Sequence, residues 1–180
     1  MVVSWRLHRK WAERLGIDLE VSRTVDAVMD EVQPDRWPSE VVNRLARLRA
    51  TKRDDFDRAL ILHVLLDKLR DFMKWLLREG GDEPVRFLME AEPGVLLDVA
   101  KMLMINVGRV DFNMLREIDG VVKQLKPHSR EVVEDVLSEL GLSRDEGVLS
   151  FGKRWRKYLR YIVERVPEFR RFMADSSQCQ

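Results

Sequence analysis

Between Asp55 and Glu79 the chain is apolar around most of a helix and polar along one narrow stripe. At about 100° per residue, Leu62, Leu65, Leu66, Leu69, Phe72, Met73 and Leu76 share a face, and Ile61, Val64 and Trp75 widen it. A helix of this kind needs neighbours on nearly every side, so the rest of the chain must fold around it. The stripe carries His63, Asp67, Arg70 and Lys74 at spacings that stack them along the axis. An imidazole and a carboxylate four residues apart suit a base with its partner, or two ligands of a metal that wants three or four. The plainer expectation is a solvent-facing stripe in which Asp67 pairs with Arg70 for a few tenths of a kcal/mol.

The flanking segments also follow the helical period. Trp5, His8, Trp11, Ala12 and Leu15 mark a first helix that Gly16 is placed to end. Asp18 is placed to cap a second, with Val21, Val25, Val28, Met29 and Val32 as its stripe. Pro38 opens a third, carrying Val41, Val42, Leu45 and Leu48, and Gly80 and Gly81 stop the central one. Further helices are expected near 84–90, 93–104 and 111–125, then one capped by Ser129. A capping box at Ser143 and Glu146 starts a long helix, bent at Gly152, that continues to Pro167. There is no strand alternation, hairpin signal or internal repeat. The expected fold is all-α: a compact multi-helix bundle around the buried 55–79 helix, one domain over 1–174, and a flexible polar tail over 175–180.

Composition removes several classes of function. The 32 basic and 31 acidic residues nearly cancel, so global charge selects no partner. The 35% charged content, with few Asn and Gln, fits a thermophilic, archaeal source that uses surface ion pairs. The single Cys179 has neither a pairing partner nor a neighbouring His. No signal peptide and no uncharged apolar run of spanning length is present, so a soluble cytoplasmic protein is expected, with no membrane partner. Walker, Rossmann, CxxC, HExxH and Gly-x-Ser-x-Gly signatures are missing, so no catalytic residue and no cofactor is assigned.

Asp54, Asp55 and Asp57 fall where acidic side chains complement a helix N-terminus, which is a simpler role than loose cation binding. From Lys153 to Arg171 eight cations face two carboxylates. On that helix Lys153, Arg154, Arg156, Lys157 and Arg160 form a basic surface flanked by Tyr158 and Tyr161, the pairing that a phosphate backbone and unstacked bases require. The same surface could instead pack on the acidic residues Glu131, Glu134, Asp135 and Glu139. Arg44, Arg47, Arg49, Lys52 and Arg53 make a second, weaker patch.

His8 shares the face of Trp5, Ala12 and Leu15, where the helix meets the core, so it needs a hydrogen bond or a site. With His8 early in a helix ending in Leu-Gly and a second helix about twenty residues on, the first seventy residues resemble the start of HD-domain phosphohydrolases. That resemblance implies an all-α metal enzyme in which a lone His and a later His-Asp dyad supply the ligands. Here the dyad position reads Met29-Asp30, so the dyad histidine is missing. The resemblance then implies a degenerate member, or one that uses His63 differently, with His8, Asp30, His63 and Asp67 as its metal candidates. The expectation from the residues themselves is a non-catalytic helical binding protein, an accessory subunit contacting nucleic acid or a protein partner; the alternative is a metal-dependent phosphohydrolase of HD-like ancestry.

Overall fold

In a computed structural model, residues 3–31, 39–107, 110–140 and 155–176 are described, and among them every element is helical. The central segment becomes α4, Arg53–Gly80, and it is preceded by α1 (Trp5–Arg14), α2 (Leu19–Glu31) and α3 (Ser39–Thr51). After it come α5 (Glu83–Ala91), α6 (Gly94–Val107), α7 (Phe112–Leu125), a 3-10 turn over Lys126–His128, α8 (Ser129–Glu139), α9 (Trp155–Arg165) and α10 (Pro167–Ser176). No described helix is long and apolar enough to cross a membrane.

Local chemistry sets these boundaries. Ser4 caps α1 by accepting from Leu7 N–H, Asp18 Oδ1 accepts from the N–H groups of Glu20 and Val21, and Asp111 accepts from Met114 N–H. Gly16 and Gly81 both take positive φ, +65° and +74°, where a side chain would strain the chain that leaves α1 and α4. Ser129 behaves differently from its expected role. It is the first residue of α8, and its hydroxyl donates back to the Lys126 carbonyl instead of accepting from the helix.

The bundle is organised by α4, which packs on α1, α2, α3, α5, α6, α7 and α8. Ile61, Leu65, Leu66, Leu69, Phe72 and Met73 are all fully buried, each contributing roughly 1.5–3 kcal/mol of apolar transfer on side chains of this size. The long helix expected to reach Pro167 ends as α9 at Arg165, and Pro167 opens α10, where its missing N–H costs nothing. Residues 141–154 lie outside the described residues, and with them the Ser143/Glu146 box, Gly152, Lys153 and Arg154. The expected tail begins inside α10, which carries Asp175 and runs to Ser176.

Candidate metal centre

The polar stripe of α4 does not face solvent. His63 is 2% exposed and His8, from α1, is 1% exposed. The two rings lie 4.3 Å apart, centroid to centroid. The reason is α2, whose Asp26 and Asp30, spaced four residues apart, meet the His63 and Asp67 of α4 at the same spacing. Two short polar ladders thus cover each other where α1, α2 and α4 converge.

The contacts divide by imidazole nitrogen. On the Nδ1 side, Asp26 Oδ1 lies 3.0 Å from His63 Nδ1 and 3.3 Å from His8 Nδ1. On the Nε2 side, His63 Nε2 is 3.5 Å from Asp30 Oδ1 and 3.5 Å from Asp67 Oδ2, and His8 Nε2 is 4.0 Å from Asp67 Oδ1. The carboxylates are held from behind: Trp5 Nε1–H donates to Asp30 Oδ2, and the backbone N–H of Val3 donates to Asp67 Oδ1 over 3.1 Å. Arg70 places Nη1 at 3.8 Å from Asp67 and gives two further N–H groups to Asp71.

Satisfaction of these groups is incomplete. Both ring nitrogens of His8, together with Asp26 Oδ2, Asp30 Oδ1 and Arg70 Nη1, are buried without a hydrogen bond. Polar atoms at this depth need partners, since an unmade hydrogen bond costs about 1–3 kcal/mol. Burial pushes the His63 imidazole down, but the hydrogen bond to Asp26 and the charges of Asp67, Asp26 and Asp30 outweigh it and hold the group above its ordinary 6.5. Burial likewise pushes the Asp26 carboxyl up, and its contacts with His63 and His8 hold it below 3.8.

Two overlapping triads have donor atoms close enough for one ion: His8, Asp26 and His63, and Asp30, His63 and Asp67. No protein family model, curated protein or solved structure matches this chain. The centre is therefore read from its own atoms. Of the four metal candidates, Asp30, His63 and Asp67 form one triad, and His8 joins His63 in the other through Asp26, which sequence reasoning placed in no site. A signal for it was present: Asp26 and Asp30 repeat at four residues on a helix whose other face is the apolar stripe.

The remaining site residues are placed as follows. Asp54 and Asp55 do occupy the first turn of α4, but Asp57 is 7% exposed and pairs with Arg49 at 3.2 Å and with Arg53 at 3.9 Å, so its role is an inter-helix tie. Lys74 is half-buried. On α9, Lys157 and Arg160 are exposed, and Arg160 pairs with Glu164 of its own helix at 3.0 Å. The Arg156 side chain lies outside the described residues. Tyr158 is not an open stacking surface: it is 3% exposed, and Asn106 donates to its hydroxyl over 2.9 Å. Tyr161 is half-buried with Arg165 over its ring at 5.6 Å. The acidic side of α8 is engaged by α1, since Glu131 and Asp135 pair with Lys10 and Arg14, and Glu139 accepts from Ser4.

Proposed function

We propose that this chain is a divalent-metal protein, with the ion held among His8, His63 and their carboxylate neighbours as a staple of α1, α2 and α4. Charge balance carries the reading. Asp26, Asp30 and Asp67 bring three carboxylates into the cluster and Arg70 brings one guanidinium that it shares with Asp71, so at least two negative charges remain to be met. Protonating both histidines would meet them, but that places two imidazolium rings 4.3 Å apart. One divalent cation meets the same charge and also gives the orphaned Asp30 Oδ1 a partner. Mixed imidazole and carboxylate donors suit zinc, or a neighbouring first-row metal, better than magnesium or calcium, whose ligands are oxygens.

The ion would supply a cross-link where three helices meet, and this chain's residues would fix its ligands in place. Neither histidine of the cluster is open to solvent, which favours the closed arrangement of a structural site over the open position of a catalytic one. On this reading the protein works by binding, as the sequence suggested, through surfaces such as the exposed Lys157 and Arg160 of α9 for a polyanionic partner. A phosphohydrolase of HD-like ancestry is the second reading, and one observation favours it. Arg70 Nη1, buried without a hydrogen bond beside Asp67, is the kind of donor that clamps a phosphoryl oxygen next to a metal.

Stripping the protein with a chelator and titrating zinc tests the proposal. One equivalent should bind with a dissociation constant below micromolar, cobalt in its place should give the visible spectrum of a four-coordinate ion, and His63→Ala should abolish both. A wild-type chain that takes up no zinc refutes the metal centre.

A further inference from the structure

Five side chains compete for the one ion, and the geometry separates ligand from support. Bonds of about 2.0–2.2 Å at tetrahedral angles put neighbouring donor atoms about 3.3–3.6 Å apart. On the Nε2 side, His63 meets Asp30 and Asp67 at 3.5 Å each, inside that range, and His8 Nε2 stands 4.0 Å from Asp67. On the Nδ1 side the closest approach, Asp26 Oδ1 to His63 Nδ1 at 3.0 Å, falls short of the range and has hydrogen-bond geometry. The same oxygen lies 3.3 Å from His8 Nδ1.

We infer that Asp26 is not a ligand but a positioning residue, its Oδ1 accepting from the Nδ1–H of His63 over 3.0 Å and thereby turning the Nε2 of that ring toward the ion. The inference rests on the metal reading above. The ligand set is then His63 Nε2, Asp30 and Asp67 from α2 and α4, with His8 and Trp5 of α1 against it.

Every ligand on this assignment has a partner behind it. Asp26 stands behind the His63 imidazole, the Trp5 indole behind Asp30, and the Val3 N–H behind Asp67. Metal-bound histidines ordinarily donate their second N–H to such a carboxylate, which fixes tautomer and ring orientation.

Long-range proton–nitrogen NMR on the full chain, labelled with nitrogen-15 histidine and loaded with zinc, reads the answer directly and needs no variant. His63 should show a metal-bound Nε2 and a protonated Nδ1, with the 3-10-turn His128 unchanged as the internal reference. Asp26→Asn should keep that pattern and weaken zinc affinity by roughly 10–100-fold. A metal-bound Nδ1 on either ring, an unchanged affinity in the Asn variant, or its loss beyond about 1,000-fold overturns the assignment, the last because only a ligand costs more than its support. A wild-type chain that binds no zinc refutes the metal reading itself, a result distinct from zinc bound through Nδ1.

Discussion

Helix α1 carries two sets of ionisable partners, one on each side, and they behave differently. Toward α8, Lys10 and Arg14 meet Glu131 and Asp135 with their charged groups roughly a quarter to two-fifths exposed, and opposite charges are matched within the set. Toward α2 and α4, His8 meets Asp26, Asp67 and His63 at comparable distances, almost wholly out of water. The first set is open to solvent, whereas the second holds polar atoms without a hydrogen bond and surplus negative charge. Separation is thus a poor guide to what an ion-pair cluster needs. Solvent access and charge count decide it.

The largest effect should come from breaking the buried set. His63→Ala removes a ligand and leaves the carboxylates unmatched, so denaturant unfolding of the wild type and the variant, each with zinc in the buffer, should show a loss of roughly 3–5 kcal/mol. A loss under about 1 kcal/mol would place the cluster with the surface pairs.

A pH series sharpens the contrast at intermediate size. In the metal-free protein His63 is held above 6.5, so its contribution to stability is complete below that value and is lost as pH rises through the folded pKa. Asp26, held below 3.8, contributes above that value and loses its share as pH falls through the folded pKa. The chelated protein should therefore be most stable in mild acid, between the two ordinary values. Zinc affinity should run the opposite way and rise with pH across the same window, because the ion must displace the His63 proton. Equal stability of the chelated protein in mild acid and mild base would contradict the pairing.

The smallest effect should come from the surface set. Glu131→Gln should cost no more than about 1 kcal/mol, and the difference should vanish in roughly 1 M salt, where the screening length is near 3 Å. A salt-independent loss of several kcal/mol would show that the α1–α8 pairs are effectively buried.

Much of this architecture was legible in the sequence because helix period, capping and chain breaks are local. Asp18, Gly16 and Gly81 each do what their position predicts. The burial of His63 was not legible by the same means. On a single helix, four polar residues in a line look like a wet face, and only the facing ladder of Asp26 and Asp30 turns them inward. Pairing between helices is not a local property, yet the premise was available: a helix with neighbours on nearly every side has little room for a wet stripe. The burial of Tyr158 escaped for the same reason, since its partner Asn106 is fifty-two residues away.

One consequence concerns the order in which the chain is made. All the residues of the cluster lie between His8 and Arg70, whereas α6, packed along α4, begins only at Gly94. During synthesis at about 5–20 residues per second, the polar side of α4 therefore gains its complete ligand set seconds before the apolar side gains α6 as a cover. An ion captured in that interval would fix α1, α2 and α4 relative to one another while Leu65, Leu66 and Leu69 still wait for partners. It would act as an early clamp on a nascent chain whose most hydrophobic surface is the last to be enclosed.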